Sequence, residues 1–274
     1  QQSTYYGKIE DLVLGLRAVT PAGLLRTQPF PRAALGPDYT QMLVGSEGTL
    51  GVISEATLRI FPHRPDSMRP LTFMFKGFTD GVECIREILQ SGVGRPGVCR
   101  LSDPEETEVA LTLDGLAGGG IDTTLTRLGY KPGERSLMIA ATEGDRLTSA
   151  GVAARAKVIG LKHGGLPLGA KPLRSWYKRR FHDPYVRDDL MDYGVLTDTL
   201  ETSTSWSNLP RLWQEVRAVV KARPNTVCMT HISHAYDNGA NLYFIVLTPM
   251  DLEQPLEDYR AYHRGIIYAV VSNG

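Results

Sequence analysis

The segment Gly45-Ser46-Glu47-Gly48-Thr49-Leu50-Gly51-Val52-Ile53 constrains the fold more than any other part of this chain. Three glycines stand within seven residues, and VISEATLRIF then alternates with a period of two. Glycine tolerates backbone conformations closed to other residues, and period-two alternation marks a half-buried strand. A glycine-rich turn feeding a strand is therefore expected here. It can be a plain hairpin corner, or a backbone lying flat against a ligand with amide groups turned outward. It is not a phosphate loop of the Gly-Lys-Ser/Thr kind, and no helix follows it as a dinucleotide fingerprint requires.

Upstream, residues 9–19 run into Thr20-Pro21-Ala22-Gly23, which has the chemistry of a turn between two strands. A Pro- and Arg-containing loop is expected over 24–36, and a short helix from Asp38 to Leu43. Pro62 and Pro65 end the strand that follows the glycines, and a boundary is placed there. Beyond it, strands are expected at 69–76, 97–101 and 136–142, and helices at 78–90 and 147–161. A further helix at 209–222 precedes strands at 226–233 and 241–248, joined by a turn at Asp237-Asn238-Gly239. A last helix is expected over 253–271. The order predicts an α+β chain with helices laid on an antiparallel sheet.

Composition removes some function classes. Thirty basic residues balance thirty acidic ones, so no nucleic-acid footprint is expected. Cys84, Cys99 and Cys228 are odd in number and far apart, which argues against a disulfide framework and a zinc site. They suit small buried hydrophobes in a reducing, cytoplasmic setting. No apolar run reaches the length of a membrane-spanning helix. The opening QQSTYYGKIEDLV and the closing SNG read as mid-domain sequence, so a piece of a longer protein is expected.

GPDYTQMLVGSEGTLGVISEATLRIFP, residues 36–62, resembles the second signature of the vanillyl-alcohol-oxidase-type FAD enzymes. The resemblance implies FAD as cofactor, with Glu47, Gly48, Thr49, Leu50, Gly51, Val52 and Ile53 as its contacts. It also implies that 1–65 is the second part of a FAD-binding domain. Residues 66–260 would then be a substrate-binding cap, and 261–274 the start of the return to the FAD domain. The family's N-terminal phosphate loop is not in this sequence.

VCRLSD (98–103), YVRDDLMDYGVLTDTLETSTSW (185–206) and HISHAYDNGANLYF (231–244) are similar to one branch, the alkyldihydroxyacetonephosphate synthases. That branch exchanges the acyl chain of acyl-dihydroxyacetone phosphate for a fatty alcohol without net oxidation, in ether-lipid synthesis. A lipid-like substrate, association with a membrane surface and a homodimer are the partners implied. The branch carries a histidine run after Asn-Gly-Gly, and this chain stops at Asn273-Gly274.

Site residues follow from the same resemblance, each beside a plainer reading. Arg100 is a substrate-binding candidate, since a guanidinium forks onto phosphate or carboxylate; the plain reading pairs it with Asp103. Arg187 is a catalytic candidate. Its pKa is too high for a base, so stabilisation of a developing enolate is its expected role; the plain reading is a charge partner on a helix. Tyr243 is the other catalytic candidate, able to pass a proton to the leaving carboxylate or take one from the alcohol. Its plain reading is a sheet aromatic.

His231 and His234 are substrate-binding candidates; a spacing of three on a strand would point them to opposite faces and leave no shared metal. Trp206 reads as a core aromatic, with a loop after Thr202. Lys171–Arg180 mixes cations with Trp176 and Tyr177, as a membrane-facing segment or a solvated loop. The competing function is a FAD-linked oxidoreductase of a D-2-hydroxy acid such as lactate or glycolate. Those enzymes carry a GDGNLH-like stretch, whereas this chain has Asn238-Gly239-Ala240-Asn241-Leu242-Tyr243, with Tyr243 in place of the last histidine.

Overall fold

The computed structural model describes residues 2–30, 34, 36–181 and 185–274. Short turns α1 (Ser3–Tyr6) and α2 (Ile9–Leu12) lead into a three-stranded antiparallel sheet of order β2-β1-β3. Its strands are β1 (Val13–Thr20), β2 (Gly23–Arg26) and β3 (Val52–Leu58). Thr20 pairs with Gly23 across the expected turn. β2 takes the first residues of the expected 24–36 loop, part of which lies outside the described residues. The expected short helix is α3 (Tyr39–Leu43), whose first turn is capped by the Asp38 carboxylate accepting from the Thr40 and Gln41 amides.

The second sheet has seven strands among the described residues, in the order β7-β4-β6-β5-β9-β10-β8, all antiparallel. They are β4 (Arg69–Phe75), β5 (Val98–Ser102), β6 (Ser136–Thr142), β7 (Leu166–Pro167), β8 (Val195–Ser205), β9 (Val227–Ile232) and β10 (Gly239–Pro249). Helices α4 (Phe78–Gln90), α5 (Pro104–Leu113), α6 (Gly120–Arg127), α7 (Arg146–Lys162), α8 (Lys171–Arg179), α9 (Val186–Asp192), α10 (Leu209–Lys221) and α11 (Pro255–Asn273) complete the chain.

Period-two alternation decides which side chain meets which layer. Phe73, Phe75, Leu101, Phe244 and Ile232 face one way and join the core made with α4, α7, α10 and α11. α4 presents Val82, Ile85, Ile88 and Leu89 to it, at the spacing of one helical face, each worth roughly 1.5–3 kcal/mol of burial. Met74, Val98 and Ile139 face the other way, against Leu125 of α6 and Leu173 and Trp176 of α8. Cys84, Cys99 and Cys228 are all buried and unpaired, and burial pushes the Cys99 and Cys228 thiols up to about 12. No helix among the described residues is long and apolar enough to cross a membrane.

Two expectations are corrected. Lys171–Arg180 is mostly the helix α8, not a loop, with Leu173 and Trp176 turned into the core; Arg180 lies over the Trp176 and Tyr177 rings. The apolar members of this run are consumed by packing, which leaves its cations outside. Thr202 lies inside β8, opposite Leu242, so the loop begins after Ser205 and not after Thr202. Trp206 follows it, buried, with its indole N–H donating to the Tyr236 carbonyl at 3.0 Å. Residue 261 lies within α11, whose Ile266 and Ala269 belong to the large core.

Candidate functional site

Two places in the fold carry ligand chemistry. The first is the glycine segment between α3 and β3. Gly45 (φ 82°), Glu47 (φ 50°), Gly48 (φ 82°) and Gly51 (φ 154°) all have positive φ. Glu47 does so without the freedom of glycine, a conformation worth noting where a loop is shaped for use. The glycines divide by task. A Cβ on Gly51 would stand 2.6 Å from the Val19 carbonyl oxygen, so Gly51 lets β3 close on β1. Gly45 and Gly48 have open space where a side chain would be. With Leu43, Ser46, Glu47, Val52 and Ile53 they line a shallow concavity of about 320 Å³. Val52 and Ile53 are 69% and 44% exposed. Open backbone beside bare apolar side chains fits one wall of a site for a flat, amide-rich aromatic ring.

The second place is the face of β5, β9, β10 and β8 turned away from the large core. β5 and β9 pair at Leu101↔Ile232 and Ser102↔His231, where β5 ends. α5 follows directly. Asp103 caps it, its carboxylate accepting from the Glu106 amide at 2.9 Å, while its own amide donates to the Thr230 carbonyl at 2.8 Å. The same carboxylate accepts from Arg217 at 2.8 Å and from the Trp213 indole at 3.2 Å, which ties α5 to α10. Burial pushes the Asp103 carboxyl up to about 6 against the opposing pull of Arg217. Pro104 occupies the first helical position, and Glu106 is thereby placed three residues past the cap, aimed at the sheet.

Glu106 is the hub of this face. Its Oε1 accepts from Arg100 Nη2 at 2.7 Å and lies 2.9 Å from His231 Nδ1. Burial alone would raise this carboxyl, but Arg100 and His231 together outweigh it and hold Glu106 at about 2. His231 is driven below its ordinary value, first by burial and then by the Arg100 charge, with Glu106 opposing. Directly across the strand pair stands Tyr243, its ring stacked on His231 with centroids 5.1 Å apart and planes 28° from parallel. On the other side Tyr243 faces Glu201. Glu201 lies 3.0 Å from His234 Nε2 and accepts from Asn241 Nδ2.

The structure therefore brings Arg100, His231, Tyr243 and His234 onto one surface, linked through Glu106 and Glu201. Two expectations change. Arg100 pairs with Glu106 and not with Asp103, because Asp103 is engaged as the cap of α5. The two histidines do not point to opposite faces: His231 lies within β9, but His234 lies past its end at Ile232, where the strand period no longer applies. Arg187 is 61% exposed on α9 and pairs with Asp188 at 3.2 Å. Glu106 and Glu201 were not singled out in the sequence. Asp103-Pro104-Glu105-Glu106 did carry a helix-start signal, a capping residue with Pro at the first position and Glu at the third.

A smaller concavity of about 180 Å³ joins the two sheets, lined by Tyr5, Tyr6, Phe61, Arg64, Glu143 and Asp145. The Tyr6 hydroxyl donates to Glu143 there.

The family model for FAD linked oxidases, C-terminal domain, matches residues 64–271. Among curated proteins, the chain is similar to alkyldihydroxyacetonephosphate synthase of Dictyostelium discoideum, 31% identical over 94% of this chain and 44% of that protein. The synthase of Caenorhabditis elegans is 31% identical over 87% of this chain and 42% of its own length. An uncharacterized FAD-linked oxidoreductase of Escherichia coli, YgcU, is 28% identical over 96% of this chain and 53% of its own. A solved structure of alkyldihydroxyacetonephosphate synthase superposes with a TM-score of 0.81 at 29% identity, covering all of this chain and 50% of the other. The chain spans about half the length of these relatives.

Proposed function

We propose, for a chain that belongs to the FAD-linked oxidase family through its C-terminal domain, that the protein exchanges the acyl chain of an acyl-dihydroxyacetone phosphate for a fatty alcohol. The supporting observation is Tyr243, a phenol between His231 and Glu201 where a hydroxy-acid dehydrogenase resembling this chain would carry a histidine. Similarity to the synthases over most of the chain points the same way. FAD, when bound, supplies an electrophilic and redox-active ring system. On this side of the site, Gly45, Gly48, Val52 and Ile53 would hold it.

Each residue then has a task suited to its chemistry. Arg100 is held by Glu106 through one guanidinium nitrogen, Nη2, and presents its remaining N–H donors to the substrate phosphate. Arg187, exposed on α9, supplies positive charge to a developing enolate and moves no proton. Tyr243 gives a proton to the departing carboxylate and receives one from the incoming alcohol. His231 and His234 orient substrate oxygens beside it.

The second reading is a FAD-linked oxidoreductase, a class favoured by the likeness to YgcU, with a D-2-hydroxy acid as the substrate weighed for it. Anaerobic absorbance of the full-length protein separates the two. Under the synthase reading, an acyl-dihydroxyacetone phosphate bleaches the flavin band and releases fatty acid, and a fatty alcohol restores the colour. Lasting bleaching by D-lactate or D-glycerate, with no response to the ketone phosphate, would establish the dehydrogenase instead.

A further inference from the structure

We infer that Glu106 is the positioning residue of the Tyr243 face: one carboxylate oxygen, shared by Arg100 and His231, fixes His231 with its proton on Nδ1 and its ring flat against Tyr243. The inference rests on the reading of this face as the reaction site, although its first readout does not depend on the reaction.

The argument begins with Oε1. It accepts from Arg100 Nη2 at 2.7 Å and lies 2.9 Å from His231 Nδ1. A carboxylate against a guanidinium stays ionised, and an ionised carboxylate only accepts. The hydrogen in the shorter-than-van der Waals contact to His231 therefore belongs to Nδ1. A second proton on the ring would place an imidazolium, 2% exposed, beside the Arg100 cation. Burial and that neighbouring charge both disfavour it. The neutral ring with Nδ1–H leaves the lone pair on Nε2, so His231 presents an acceptor from that edge.

Rigidity follows from where Glu106 stands. Its amide is held by the Asp103 cap, and Asp103 is in turn held by Arg217 and Trp213. The carboxylate thus enters from a helix start anchored to β9 through the Thr230 carbonyl and to α10 through Arg217 and Trp213. His231 lies opposite Tyr243 in the β9–β10 register, with the rings stacked at 5.1 Å. Loss of the Glu106 charge frees the His231 ring to rotate or change tautomer, and Tyr243 then loses the surface that fixes its plane. Outer partners of this kind are typically worth about 10–100-fold in activity.

The test uses the full-length protein with ¹³C,¹⁵N-labelled histidine, the His231 resonances being assigned by their loss in His231→Asn. The expected result is a neutral Nδ1–H ring from pH 6 to 8 in the unmutated protein. In Glu106→Gln, the expected result is a changed tautomer or titration, with kcat down about 10–100-fold and KM moved less. An Nε2–H tautomer or an imidazolium at pH 7 in the unmutated protein overturns the inference, whether or not the variant folds. An unchanged tautomer and kcat in Glu106→Gln overturn it equally. If the Nδ1–H ring is present but neither substrate class reacts, the functional reading falls and the fixing of His231 by Glu106 stands.

Discussion

The two sheets of this chain handle exposure in opposite ways. In the three-stranded sheet every residue of β3 is exposed, including Val52, Ile53 and Leu58, and its small core is Leu16, Ala18 and Leu43. In the seven-stranded sheet the polar face is crowded: Arg100, Glu106 and His231 are all nearly enclosed and mutually paired. The first region offers backbone and bare apolar surface. The second offers a few charges held in fixed geometry. A ring-shaped cofactor needs the first kind of surface, and proton and phosphate chemistry needs the second.

Arg100 and Arg187 sharpen the contrast, because the same side chain is embedded so differently. Arg100→Ala should cost about 3–5 kcal/mol in equilibrium unfolding, since it strands the Glu106 carboxylate beneath the sheet. A loss below about 1 kcal/mol would show that the polar face is wetter than its burial implies. In the other sheet, Gly51→Ala forces a Cβ against the Val19 carbonyl and should cost about 2–3 kcal/mol, with loss of bound flavin in the full-length protein. Retention of both stability and flavin would remove Gly51 from its assigned role.

Acid should unfold the seven-stranded sheet through Glu106. Its carboxyl is held below the unfolded value of 4.5, so its contribution is complete above pH 4.5 and drains as pH falls towards 2. The loss is at most about 3 kcal/mol. His231, also held low, loses its contribution as pH drops below 6.5, while Asp103, raised to about 6, is relieved by protonation and acts in the opposite direction. Denaturant midpoints measured from pH 7 to 2 should therefore fall most steeply below 4.5, and the fall should shrink in Glu106→Gln. Gly45→Ala meets open space and pays only for its positive φ, about 1–2 kcal/mol, while weakening flavin retention. Arg187→Ala should change stability by less than about 0.5 kcal/mol. Any marked loss of turnover in that variant would then report chemistry alone, and full turnover would remove Arg187 from the catalytic set.

Much of the fold was legible residue by residue. The 78–90 helix, the Thr20–Gly23 turn and the strands around Asp237–Gly239 each carry their own periodicity or turn chemistry, which acts locally. β8 is not legible as a strand because Asp198, Thr202 and Thr204 share a face with Leu196 and Leu200, which hides the alternation; it is an edge strand. α8 was missed because its cations dominate the run and hide the spacing of Leu173 and Trp176.

The sequence by itself determined the glycine turn, the type of those strands and helices that carry their own periodicity, and the presence of Arg100, His231, His234 and Tyr243 as chemically able residues. Local backbone sterics and side-chain periodicity suffice for that much. Only the tertiary structure decided which carboxylate each of them meets. Glu106 reaches Arg100 and His231 because β5 ends beside β9 and turns at once into α5, whose first turn carries Glu106. Glu201 reaches His234 because β8 lies along β10 in one register. Glu106 and His231 are 125 positions apart and Glu201 and His234 are 33 apart; such contacts are set by how sheet and helix close on each other, and no spacing along the chain encodes them.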